Sequence, residues 1–194
     1  FGHPDAVIIP GTKSTIHDLQ FLKKQGLDIL LQKYAEDGGP LLGICGGFQM
    51  LGERLIDESG SDTGNSNHIE AGLGLIGAET VFHPEKVTVQ TSGTIHPNSG
   101  FRTQEITGYE IHLGRTTFTQ PRPFLLLDNG EVDGYVGENG WLIGTYLHHL
   151  FHNDEWRNDW LNGLRRQKGL NEHSVVNVGR VKDERYNELA NGML

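Results

Sequence analysis

Only one cysteine, Cys45, occurs in 194 residues. An internal disulfide is therefore excluded, which agrees with a reducing compartment and leaves one thiol free for chemistry or for packing. Long apolar runs are missing as well. Nothing approaches the roughly 18 to 20 residues that span a bilayer, and nothing at the start reads as a signal peptide, so a cytoplasmic location is the default expectation. Positive charge is scarce: 16 Lys and Arg face 25 Asp and Glu, for a net charge of −9. That balance disfavours a nucleic acid or an anionic membrane as partner. No phosphate loop of the form GxxxxGK[ST] is present, and "GTKST" at 11–15 does not supply one. An initiator Met is also absent, and "FGHPDAVIIPG" opens almost directly in a strand-like run, so the chain is expected to be a fragment of something longer.

What the chain does have, 36% apolar residues and 27 glycines, is the composition of a soluble globular protein, short enough for one domain over 1–194. "DAVIIPG" (5–11) reads as a buried strand stopped by Pro10 and Gly11. From Ser14 to Asp37 apolar residues keep helical spacing, Ser14 or Thr15 can cap the start, and Gly26 is placed to divide the stretch in two. "LLGI" (41–44) is a second buried strand, completing a parallel strand-helix-strand unit. "FQMLGERL" returns to helical spacing, and "DESGSDTGNSN" (57–67) reads as a polar surface loop, the best candidate for local disorder. Between 72 and 146, alternation in "AETVFH", "KVTVQTSGTI", "ITGYEIHLG", "FLLLDNG", "EVDGYVG" and "WLIGTYL" predicts strands, several antiparallel. "DEWRNDWLNGLRRQKGL" is amphipathic, and "KDERYNELANGML" predicts a shorter terminal helix.

Cys45 lies where a strand runs into Gly43-Ile44-Cys45-Gly46-Gly47 and a helix comes next. This is the order of a nucleophile elbow with Cys in place of Ser. Gly43 and Gly47 leave room where side chains would strike the neighbouring strand and helix. At a helix start the sulfur faces unpaired N–H groups, which favour thiolate, and the Gly46 N–H is positioned as one oxyanion donor. The same pattern also fits a small buried residue at a tight turn, so the partners of Cys45 decide. A thiol nucleophile needs a base, and "WLIGTYLHHLFHND" (141–154) sets His148 and His149 after a predicted strand, over the same sheet edge as Cys45. His148 is the first candidate and His149 the reserve. His148 and His152 are four apart, but no catalytic carboxylate adjoins them and no second cysteine exists, so no metal site is expected.

"DAVIIPGTKSTIHDL", "GICGGFQMLG", "GYEIHLGRT" and "GTYLHHLF", in that order, closely resemble the glutamine amidotransferase domain of the cobyric acid synthases, along nearly the whole chain. The resemblance implies a class I, flavodoxin-like α/β fold: a mixed sheet flanked by helices, with an antiparallel portion, here lacking the family's first strand and helix. It implies that Cys45 attacks the side-chain amide of glutamine, forms a glutamyl thioester and liberates ammonia, with His148 as the family histidine. Gly11 or Thr12 of "PGTKST" would join Gly46 in the oxyanion hole, and Gln49 would help hold the substrate. In "GYEIHLGRT", Tyr109, Glu110, His112 and Arg115 look too polar for a purely packing strand. Tyr109 and Arg115 are substrate-binding candidates, Arg115 through a forked contact with the glutamine α-carboxylate.

Two departures stand out. His149 replaces the glycine commoner after the family histidine, and Leu150 occupies the place where most class I enzymes carry Glu, leaving a Cys-His dyad. The resemblance also implies that ATP and magnesium belong to a synthetase domain absent from this chain. That domain would amidate carboxylates of the corrinoid adenosylcobyrinic acid a,c-diamide, and no cofactor is expected here. A glutaminase subunit of another ligase, such as one amidating cell-wall precursors, and a catalytically silent binding module are the rival readings.

Overall fold

The computed structural model describes residues 2–102 and 104–192. The chain opens with β1 (Val7–Ile9), α1 (Thr15–Lys24), α2 (Leu27–Glu36) and β2 (Leu41–Ile44). Gly26 separates the helices in the left-handed region, at φ 67°. Next come α3 (Gly46–Met50), β3 (Arg54–Asp57), β4 (His68–Ala71), β5 (Ala78–Ile95), β6 (Glu105–Phe118), β7 (Leu125–Leu127), β8 (Val132–Asp133), β9 (Tyr135–Val136), β10 (Leu142–Thr145), β11 (Leu147–His148), α4 (Asp154–Gln167) and α5 (Val178–Gly192).

The strands form two sheets. One has the order β1-β2-β10-β9; β1, β2 and β10 run parallel, and β9 antiparallel to β10. The other has the order β11-β6-β5-β3-β4, with β7 on β5 and β8 on β7. Its only parallel pair among the described residues is β3 with β5. The mixed α/β fold with an antiparallel portion is therefore as expected, the antiparallel part being a sheet of its own. Ile9, Ile16, Leu19, Leu41, Phe48 and Leu55 belong to one buried cluster to which both sheets and the helices α1 and α3 contribute. Phe48 reaches β10 at Gly144, where a Cβ would lie 2.0 Å from the ring. Burial of such a large side chain contributes roughly 2 to 3 kcal/mol, so this ring, with the likewise buried Met50, anchors α3.

Three local expectations need correction. The helix read into "FQMLGERL" stops at Met50, and Arg54 already begins β3. The β5 backbone causes the break, since Glu53 N donates to Ala78 O at 2.7 Å and a Cβ on Gly52 would meet that same oxygen at 2.7 Å. "AETVFH" and "KVTVQTSGTI" are halves of one strand, β5, whose register with β6 shifts between Phe82 and Val87. Pro84 sits in that irregular stretch and cannot donate to the ladder. The 57–67 loop, read as locally disordered, is held from within. Buried Asp57 accepts from the N–H groups of Ser61, Asp62 and Thr63 at 2.7, 3.1 and 2.8 Å. Asp62 then accepts from Thr15 N and Ile16 N, both at 2.8 Å, capping α1 from a distant part of the chain.

The described residues group into two compact units, one ending at His148 and one beginning at His149. In the second, Phe151, Trp156 and Trp160 form an aromatic cluster with centroids 5.0 to 6.2 Å apart. Asn162 ties α4 to the segment after it by donating to His173 O and accepting from His173 N. The terminal helix begins at Val178, four residues before the predicted stretch, whose last two positions, 193–194, lie outside the described residues, and it buries none of its described residues. No helix among the described residues is long and apolar enough to cross a membrane.

Candidate active site

Parallel strands point their carboxyl ends the same way, so the segments leaving β1, β2 and β10 must emerge at one edge. Ile9 is opposite Gly43, and Thr145 opposite Ile44. Gly11, Cys45 and His148 come within a few residues of those positions. A methyl placed on Gly11 would lie 3.0 Å from His148 Cε1 and 3.4 Å from Cys45 Cβ. The base of the Cys45 side chain and the imidazole therefore flank the same point, and Gly11 is the residue whose missing side chain keeps that point open.

Cys45 is the strained residue of the turn, at φ 52° and ψ −111° immediately before α3. The strain is held by backbone bonds on both sides: Cys45 N donates to Thr145 O at 2.8 Å, and Gln49 N donates to Cys45 O at 3.0 Å. The flanking glycines are required by contact. A Cβ on Gly43 would lie 2.7 Å from Gly47 O, and one on Gly47 only 2.1 Å from Ile9 O. A Cβ on Gly46 would lie 3.2 Å from Thr12 N, so the elbow and the 10–14 loop are in close contact. As the first residue of α3, Gly46 has no intrahelical acceptor for its N–H.

The expected resting thiolate is not what this environment favours. Burial pushes the Cys45 thiol up, and although the Gly46 amide pulls it down, the nearby Asp133 charge adds to the rise while Lys86 opposes it. Sγ donates to Ile111 O at 3.3 Å, a contact that belongs to the thiol form. A base is correspondingly more necessary.

His148 is paired across β11 and β6 with Tyr109. Their rings stack with centroids 5.1 Å apart and planes 6° from parallel. His149, by contrast, begins the second unit with φ 67°. This left-handed conformation is one that glycine adopts without cost, so the glycine expected there from the resemblance would fit the same backbone.

Gln49 lies one helical turn past Cys45, but its side chain is turned into the fold. Gln49 is buried; its Oε1 accepts from Thr15 Oγ1 at 3.1 Å and its Nε2 donates to Tyr146 OH at 3.2 Å. One acceptor and one donor of the amide are thus spent inside the fold. Arg115 is exposed on β6, six residues from Tyr109, and lines a cavity of about 640 Å³ together with Glu110, His112, Asp133 and Tyr146. Cys45 is not among the residues lining it.

The residues that sequence reasoning missed are Asp133 and Tyr146. Asp133 is buried and accepts from Tyr146 N at 3.1 and 3.2 Å and from the Thr145 hydroxyl, while Leu147 N donates to Thr145 Oγ1 at 3.0 Å. One carboxylate thus fixes the bend that carries His148. Tyr146 links Gln49 to Thr116 and stacks on His112, whose Nε2 lies 3.3 Å from Glu110. That imidazole holds the Glu110 carboxyl below its ordinary range. The alternation of "EVDGYVG" carried no signal for Asp133, because Glu131 two residues earlier groups both acids on one strand face, whereas in the structure Asp133 is buried and Val132 exposed.

Burial raises the Asp133 carboxyl to about 6. Between about 4 and 6 the folded protein binds this proton and the unfolded chain does not, so the contribution is complete below the unfolded value and is lost as pH rises through about 6. Its full size is on the order of 3 kcal/mol. Asp133→Asn is expected to remove this slope. The amide can keep the Tyr146 bond, and the difference between wild-type and variant melting temperatures from pH 4 to 7 should show the wild type losing ground as pH rises. The difference is the quantity to measure, because Asp57 and Glu110, both with lowered pKa, act in the opposite direction. A flat difference would contradict the assignment.

Residues 1–156 match the CobB/CobQ-like glutamine amidotransferase domain. The chain is 39% identical to a cobyric acid synthase of Listeria innocua, covering 98% of this chain and 38% of that protein. It is 41% identical to a cobyric acid synthase of Desulforamulus reducens, covering 97% and 39%. It therefore spans about two fifths of the length of the curated relatives it matches. Among solved structures, a crystallised glutamine amidotransferase superposes with a TM-score of 0.53 at 16% identity, covering 82% of this chain and 78% of the other. A glutamine amidotransferase of Thermotoga maritima gives 0.51 at 15%, covering 89% and 70%. At such identity these structures speak for the fold.

Proposed function

Because the chain belongs to the CobB/CobQ-like glutamine amidotransferase family, we propose that it hydrolyses the side-chain amide of glutamine at a Cys45-His148 dyad. The observation that carries this reading is the shared point beside Gly11, within contact of both the cysteine and the imidazole. His148 takes the proton of the Cys45 thiol as sulfur bonds to the amide carbon, and the carbonyl electrons move onto oxygen. The Gly46 N–H and an amide of the Gly11–Thr12 loop meet that charge. His148 returns the proton to nitrogen, the C–N bond breaks, and ammonia leaves a glutamyl thioester. Water, deprotonated by His148, then splits the thioester to glutamate and restores the thiol. The raised thiol favours this concerted course over attack by a standing thiolate.

The ammonia serves amidation of corrinoid carboxylates, those of adenosylcobyrinic acid a,c-diamide, with ATP and magnesium used outside this domain. The support is the identity to cobyric acid synthases along nearly the whole chain. Arg115 is the candidate for the glutamine α-carboxylate, and Gln49 serves the elbow from within.

A diazoketone analogue of glutamine tests the reading. One equivalent should add to Cys45 by peptide mass mapping, glutamine should protect against it, and glutamate should form from glutamine when the ATP-dependent portion is supplied. A label on another residue, or no glutamate under those conditions, overturns it.

A further inference from the structure

Resting on the dyad reading, we propose that Tyr109 is the positioning residue of His148, its ring face fixing the plane of the imidazole and receiving the charge that the imidazole acquires when it takes the Cys45 proton. β11 is only two residues long, Leu147 and His148, and pairs with Glu110 and Tyr109 of β6. Directly opposed residues on antiparallel strands present their side chains to the same face. The two rings meet that way, 5.1 Å apart and 6° from parallel. Such a contact resists rotation of the imidazole about its Cβ–Cγ bond, the freedom that would turn the ring away from the point beside Gly11 that it shares with Cys45.

The close approach of the strands is built into the preceding residue. A Cβ on Gly108 would lie 2.2 Å from His148 O and 2.8 Å from Leu147 Cδ1. Any larger residue at 108 would push β11 off β6 and part the rings. The face of a tyrosine ring also attracts a cation, so the stack favours the imidazolium formed during thiol attack over the neutral ring before it. The benefit is therefore greater in the transition state than in the ground state, and it belongs in kcat.

The experiment compares Tyr109→Phe and Tyr109→Leu in the chain joined to its ATP-dependent portion. Phe keeps the ring and should stay within about twofold of wild type, whereas Leu should lower kcat about tenfold with KM for glutamine moved by less than about twofold. The carbon-bound ring protons of His148 should show an upfield shift from the stacked ring in wild type and Phe, lost in Leu. Melting temperatures identify a variant that fails to fold, and Tyr109→Phe with the proton shift still decides in that case. If Tyr109→Phe raises KM severalfold with kcat unchanged, the hydroxyl contacts glutamine and the positioning role is wrong. Equal kcat in Leu and wild type, or no upfield shift in wild type, also overturns it. A wild-type protein that neither takes the diazoketone label nor forms glutamate fails at the dyad itself, a distinguishable result.

Discussion

Replacing Cys45 with alanine or with glycine abolishes glutamine hydrolysis, with an expected loss of at least about 10³-fold, but the two variants separate in stability. The residue at 45 adopts φ 52° and ψ −111°. A side chain there strains the backbone by on the order of 1 to 3 kcal/mol, and alanine retains that strain whereas glycine relieves it. The glycine variant should therefore be the more stable by about 1 to 2 kcal/mol, corresponding to a few degrees of melting temperature in a chain of this size. Alanine also loses the sulfur contact to Ile111 O. Glutamate release and thermal melts on the purified variants test both halves. Residual glutaminase activity in the alanine variant would demand another nucleophile. Identical melting of the two would mean that the elbow stores no strain, and that the thiol is not held out toward the edge of the sheet by force.

The residues around Cys45 were legible because the constraint on them is local. Glycines flanking a cysteine between an apolar run and a helix have few uses, and Gly43 and Gly47 do face backbone at distances no Cβ tolerates. The parallel strands were legible for a similar reason, since continuous apolar runs such as "LLGI" need cover on both faces. What could not be read depends on pairing across long sequence separations. Asp133 is distant in sequence from Cys45, and nothing near it announces that its carboxylate will cap the Thr145–Tyr146 bend. The helix read into "FQMLGERL" failed because Ala78 O, contributed by a later strand, takes the Glu53 N–H. The 57–67 loop looked disordered by composition, yet Asp57 and Asp62 organise it through contacts that composition does not encode. Gln49 was placed correctly one helical turn from Cys45, but its side chain is oriented by Thr15 and Tyr146 from other elements.

Gly47→Ala is expected to be a severely damaging single-methyl change in the first unit. The new carbon would lie 2.1 Å from Ile9 O and 2.6 Å from Ile9 C, both backbone atoms of a paired strand. No rotamer relieves such a clash, because a Cβ has none; either β1 or α3 must move. β1 is tied to β2 along its whole length, so the helix yields more readily. Lifting α3 withdraws Phe48, which is 1% exposed, from beneath Gly144. Overpacking of this kind costs about 3 kcal/mol, and with about 2 to 4 °C lost per kcal/mol the melting temperature should fall by roughly 6 to 12 °C. Activity should fall further than stability, because the displaced helix carries both the Gly46 amide and the strained cysteine at its head. Gly179→Ala is the matching control: it lies within α5, its nearest neighbour would be Asn177 Oδ1 at 3.4 Å, and it should be neutral or stabilising by about 0.5 to 1 kcal/mol. Thermal melts, urea titration and labelling of Cys45 by the glutamine analogue measure the pair. A Gly47→Ala protein that melts with wild type and labels at the same rate would show that α3 does not press on β1, and the close-packed elbow would have to be abandoned.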